Sequence, residues 1–138
     1  MLIIDRTTFT SEPNGGFTGS VQFDTRTVEV TIRPTADETD LCWDNAEVIL
    51  THLRDEMPSI ENRVSELFSR LGLPRQDTPK GWRKIGRMLR CLRESDMTCL
   101  VYADGAATVY FDGPRLTDHI VEVTFTKGGK LSQATIAG

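Results

Sequence analysis

At 138 residues, the chain has the length of one ordinary domain, set at 1–138, and can bury a core without metal or disulfide staples. Its 38% hydrophobic and 26% charged residues are those of a folded domain, and a net charge of −4 argues against general nucleic-acid binding. No run approaches the roughly 18 apolar residues of a membrane span, and Met1 to Phe9 is broken by Asp5 and Arg6, unlike a signal peptide.

Taken in order, residues 1 to 34 read as strands. Asn14, Gly15 and Gly16 are a turn signal, and Phe17 to Phe23 follows as a strand. After a short turn at 24–26, Val28, Val30 and Ile32 alternate with Thr27, Glu29, Thr31 and Arg33. Period two over seven residues predicts a half-buried strand. Pro34 ends it.

The pattern then turns helical. Asp37 or Thr39 can cap a helix to about Met57, with Cys42, Ala46, Ile49, Leu50 and Leu53 on one stripe. Pro58 is expected to interrupt it. Ser59 would cap a second helix carrying Ile60, Val64, Leu67, Phe68 and Leu71, ended by Gly72. Thr78 and Pro79 would start a third, running to about Leu92.

The remainder reads as sheet. Asp104-Gly105 is read as a two-residue hairpin turn between strands at 97–102 and 106–111. Another turn at Asp112-Gly113-Pro114 leads to a strand with His119, Val121, Val123 and Phe125 on one face, and Lys127-Gly128-Gly129-Lys130 turns into the last strand. Strands, then helices, then strands is an α+β order. The expected fold is an antiparallel sheet from the N- and C-terminal strands, with three central helices packed on one face.

Several of these motifs are shared with a known family. Gly16-Phe17-x-Gly19, Asp104-Gly105, Tyr110-Phe111-Asp112-Gly113, His119-Ile120 and Ala134-x-Ile136-x-Gly138 together resemble the bacterial domain of unknown function 2262 family. The resemblance spans nearly the whole chain. Asp118 stands where the family pattern has glycine, and the middle carries an added basic tract. The resemblance implies a fold and brings no catalytic residues. Small families of this kind often sit in bacterial conflict or immunity loci.

Candidate chemistry is sparse. His119 lies near Asp112 and Asp118 in sequence, so a histidine–carboxylate acid–base pair is the enzymatic alternative. No serine or cysteine stands in a nucleophile motif beside it. Cys91 among Arg87, Arg90 and Arg93 would have a lowered thiol pKa if they are close. Cys42, Cys91 and Cys99 make an odd count without CxxC spacing, which points to reduced thiols and a cytoplasmic protein. No metal or cofactor motif is present.

Charge is the feature that reaches beyond fold. Residues 37–61 hold eight acids against Arg54 alone, and residues 62–93 hold nine bases against Glu66 and Asp77. Asp37, Asp40, Asp44 and Glu47 recur every three or four residues, so a helix would carry them on one side. Such a row suits a basic protein partner, because opposed potentials speed encounter. The expected function is a non-catalytic protein-binding domain, in its specific form an immunity-type inhibitor of a toxin or effector. The oligomeric state is not encoded in any feature of the sequence.

Overall fold

The computed structural model describes residues 2–13, 15–23, 26–34, 39–70, 92–112, 120–127 and 129–137, with backbone alone at 39–41, 67–70, 136 and 137. The strands are β1 (Thr10–Ser11), β2 (Phe17–Phe23), β3 (Arg26–Arg33), β4 (Asp96–Tyr102), β5 (Ala107–Asp112), β6 (Ile120–Phe125) and β7 (Leu131–Ala137). One long helix, α1 (Thr39–Arg70), lies between β3 and β4. A single 3₁₀ turn, Arg6–Thr8, precedes β1 and is capped by Asp5, which accepts from the Thr7 N–H.

All seven strands form one sheet in sequence order. Every neighbouring pair is antiparallel except β3 and β4, which are parallel. The sheet is therefore mixed, which corrects the all-antiparallel expectation. The cause is the connection. A hairpin reverses direction, whereas a chain returning from a helix can enter beside its starting strand in the same sense.

The register turns the period-two pattern into continuous rows. Phe17, Ile32, Val101, Ala107, Phe125 and Leu131 pair in succession across the sheet. Gly19, Val30, Cys99, Val109, Val123 and Ala134 form the next row. Val28, Met97, Phe111 and Val121 lie in a third. These rows bury one face of the sheet. The opposite face carries Thr18, Thr31, Leu100, Thr108, Tyr110, Glu122 and Thr124, mostly half-buried.

The buried face is covered by α1, which touches β3, β4 and β7. Cys42, Trp43, Ala46, Ile49, Leu50, Leu53, Ile60 and Val64 are all buried on the helix. The two expected helices at 37–57 and 59–71 are one, and Pro58 sits inside it. Proline removes the N–H that would bond the carbonyl four residues back and clashes with that turn. The helix continues because the apolar stripe stays in phase across Pro58. Leu53, Met57, Ile60 and Val64 follow one another at steps of four, three and four, so a break would turn Ile60 and Val64 off the core. The third expected helix lies outside the described residues, apart from its last position, Leu92, which is buried. Among the described residues a single long helix thus stands where separate central helices were expected, and residues 92–94 form a short helical turn before β4.

Three hairpin loops are closed alike. Gly15 donates to the Glu12 carbonyl at 3.0 Å, Gly105 to Tyr102 at 2.9 Å and Gly129 to Thr126 at 2.8 Å. In each, the N–H of the first residue returns to the carbonyl just past the glycine. All three glycines have φ between 77° and 90°, the left-handed conformation that closes a three-residue hairpin loop. The loop at Asp104-Gly105 thus holds three residues, 103–105, where the sequence suggested two.

The N-terminal segment is fastened to the helix. Leu2 and Ile4 are buried, and the Leu2 N–H donates to Thr51 Oγ1 at 2.9 Å. Phe9 meets Trp43 edge-on at 5.1 Å, Phe17 meets the same ring at 5.0 Å, and the Arg6 guanidinium lies 5.3 Å above it. Gly19 is required here, since a Cβ would stand 2.7 Å from Phe9 Cδ1. Cys42 and Cys99 are buried thiols. Complete burial pushes the Cys99 pKa up to about 12, so it is inert as a nucleophile at neutral pH. Cys91 lies outside the described residues.

Candidate functional site

The acidic row is only partly a free face. Asp37 lies outside the described residues, and Asp40 is placed only as backbone in the first turn of α1. Asp44 is exposed. Glu47 is half-buried and accepts the Ile4 N–H at 3.3 Å, so it also tethers the N-terminal segment. Val48, one turn after Asp44, stands 57% exposed beside Asn45, His52 and Lys127, and further along the helix Asp55, Glu56 and Glu66 are exposed. Among the described side chains of α1, the exposed charged residues are thus Asp44, Asp55, Glu56 and Glu66 with Arg63, and His52 is exposed as well.

The enzymatic alternative finds no assembled site among the described residues. Asp118 and His119 lie outside them. Asp112 is exposed at the end of β5, and its cross-strand partner is another acid, Asp96. The other histidine, His52, lines a shallow hollow of about 470 Å³ with Glu56, Ser59 and Arg63. No hydrogen bond joins these side chains among the described residues. No group of three or more histidines, cysteines and acids that could hold a metal occurs there either.

A cleft of about 800 Å³ lies between the start of β3, the middle of α1 and residues 93–96. Sequence reading missed it. Arg26 stands at its inner end, half-buried at the first position of β3. Its guanidinium donates to the Leu92 carbonyl at 2.7 Å, to the Arg93 carbonyl, and to Met97 Sδ at 3.6 Å. It also lies 5.8 Å from the Phe111 ring centroid. Burial lowers the Arg26 pKa, and the charge of Glu61 opposes that shift. The guanidinium remains charged at any physiological pH.

Glu61 faces Arg26 from α1 and is only 4% exposed. Its Oε2 has no hydrogen-bond partner. Arg93 Nε stands 3.4 Å away, close enough for an ion pair but off hydrogen-bond geometry. Burial raises the Glu61 pKa, against the opposing pull of Arg26 and then Arg93. Desolvation outweighs the two nearby cations, because a buried carboxylate needs hydrogen bonds as well as charge to replace its water. On the outer wall Arg54 Nε and Asp55 Oδ1 pair at 3.1 Å. Phe23, Met57 and Pro58 supply the apolar lining.

A signal for this site was present in the sequence. Glu61 falls four residues after Met57 and three before Val64, on the phase of the buried stripe. A charged residue at a core phase is unusual and expects a partner. The partners come from residues 35 and 32 positions away in sequence, and only the β3–β4 pairing brings them together.

No family model, curated protein or solved structure matches the chain. Among the described residues no helix is long and apolar enough to cross a membrane.

Proposed function

We propose that this protein is a non-catalytic binding domain that recognises a basic protein, with inhibition of a bacterial toxin or effector as the specific form. The observation that carries this reading is the outward side of α1. There Asp44, Asp55, Glu56 and Glu66 are exposed along a helix whose other side is locked into the core, and Val48 is exposed one turn from Asp44. A row of exposed acids matches interfaces in which charge steers the approach of a basic partner. Rigid support from the sheet lowers the entropic cost of binding.

The test is co-purification from a native-host lysate with wild-type protein and with the double variant Asp44→Lys, Glu56→Lys. Both positions are exposed, so folding should be unchanged. The expected result is a basic protein retained by the wild type and lost from the variant. Equal retention by both, or an acidic bound protein, overturns the reading.

A further inference from the structure

The cleft carries chemistry that a basic protein partner does not use. Its inner end alternates in sign, with Arg26, Glu61 and Arg93 as cation, anion and cation. The Arg26 guanidinium is held by two carbonyls and a sulfur, so it is fixed in place. The Arg93 side chain is 55% exposed, and its contact with Glu61 is an ion pair without a hydrogen bond. Glu61 Oε2 is shut off from solvent and still lacks a donor. Moving Arg93 Nε aside gives up a 3.4 Å ion pair, which a ligand ammonium would replace at a carboxylate oxygen that lacks a well-formed hydrogen bond.

We propose that this cleft binds a free α-amino acid, with the ligand ammonium on Glu61 Oε2 and the ligand carboxylate on the displaced Arg93 guanidinium. The pairing follows from local charge. A lone cation entering here meets Arg26 and Arg93, and a lone anion meets Glu61. A dipolar ligand satisfies both ends and leaves the net charge of the cleft unchanged. Both new contacts are charge-assisted, the stronger class of hydrogen bond, and the planar fork of arginine matches a carboxylate. Phe23, Met57 and Pro58 then offer an apolar wall to the amino-acid side chain. A cleft of about 800 Å³ has room for a long aliphatic side chain and is within the size range of small-molecule sites. The site thus favours leucine or methionine over glycine.

The test is an NMR titration following the Met57 methyl group. L-leucine is compared with isovalerate, which keeps the alkyl and carboxylate groups, and with isoamylamine, which keeps the alkyl and ammonium groups. Leucine should shift the Met57 signal saturably, and each fragment should bind at least about tenfold more weakly, the loss of one charge-assisted contact. Glu61→Gln preserves shape and should weaken leucine by at least about tenfold. Arg93→Gln alters an exposed side chain and should do the same, which secures the test if Glu61→Gln perturbs folding. Absence of a leucine-dependent shift, a fragment that binds as tightly as leucine, or full affinity in folded Glu61→Gln and Arg93→Gln would overturn the proposal.

Discussion

Pro58→Ala probes the long helix directly. Pro58 is exposed and sits inside α1, with no other role in the buried stripe. Proline within a helix costs about 3 kcal/mol relative to alanine, through the lost N–H and the clash with the preceding turn. Alanine also frees the unfolded chain, which works against stability by roughly 0.4–1 kcal/mol. The net expectation is a gain of about 2 kcal/mol. In a domain of this size that raises Tm by roughly 3–10 °C. Urea unfolding followed by far-ultraviolet circular dichroism gives the midpoint, and an unchanged m-value shows that the same surface is exposed. The helical signal of the native state should be kept or rise slightly. If Pro58 instead terminates one helix and starts another, alanine replaces a favoured first-turn residue. Stability would then stay level or fall. A lowered urea midpoint would refute the continuous helix.

Two further outcomes follow from packing and charge. Gly19→Ala should destabilise by about 1–3 kcal/mol, because the new methyl meets the Phe9 ring; adding Phe9→Ala should make the methyl nearly harmless, and additive losses in the double variant would count against the contact. Glu61 has a raised pKa in the folded state, so between the ordinary carboxyl value of about 4.3 and that raised value the native state keeps a proton the unfolded chain has lost. Glu61 therefore makes stability fall as pH rises through this window, and Glu61→Gln should gain on the wild type across it in urea titrations from acid to neutral pH. A difference that stays flat, or that turns in favour of the wild type as pH rises, would show that its pairing with Arg26 and Arg93 outweighs burial.

The strands were legible because their rule is local. Val28, Val30 and Ile32 alternate with polar residues, and so do Val121, Val123 and Phe125, and each set lands buried in register with its neighbours. The parallel pairing of β3 with β4 was not legible, since it depends on where a chain re-enters the sheet after α1. Pro58 misled for a different reason. Its local penalty is real, yet keeping Ile60 and Val64 on the buried stripe with Leu53 outweighs it. The acidic row was half legible. Spacing placed Asp44 correctly on the surface, but nothing near Glu47 in sequence announces that the Ile4 N–H will claim its carboxylate. Arg26 read as a turn residue because its acceptors, Leu92 and Arg93, are 66 and 67 residues away.

The central claim is that α1 presents the partner-binding surface. Hydrogen–deuterium exchange of the protein with and without its co-purified basic partner tests this most directly. Side-chain contact on the outward side of α1 should stabilise that helix and slow amide exchange across residues 44–56, while β2 and β3 exchange as before. Protection confined to the strands, with α1 unaffected, would contradict the account and move the interface to the sheet.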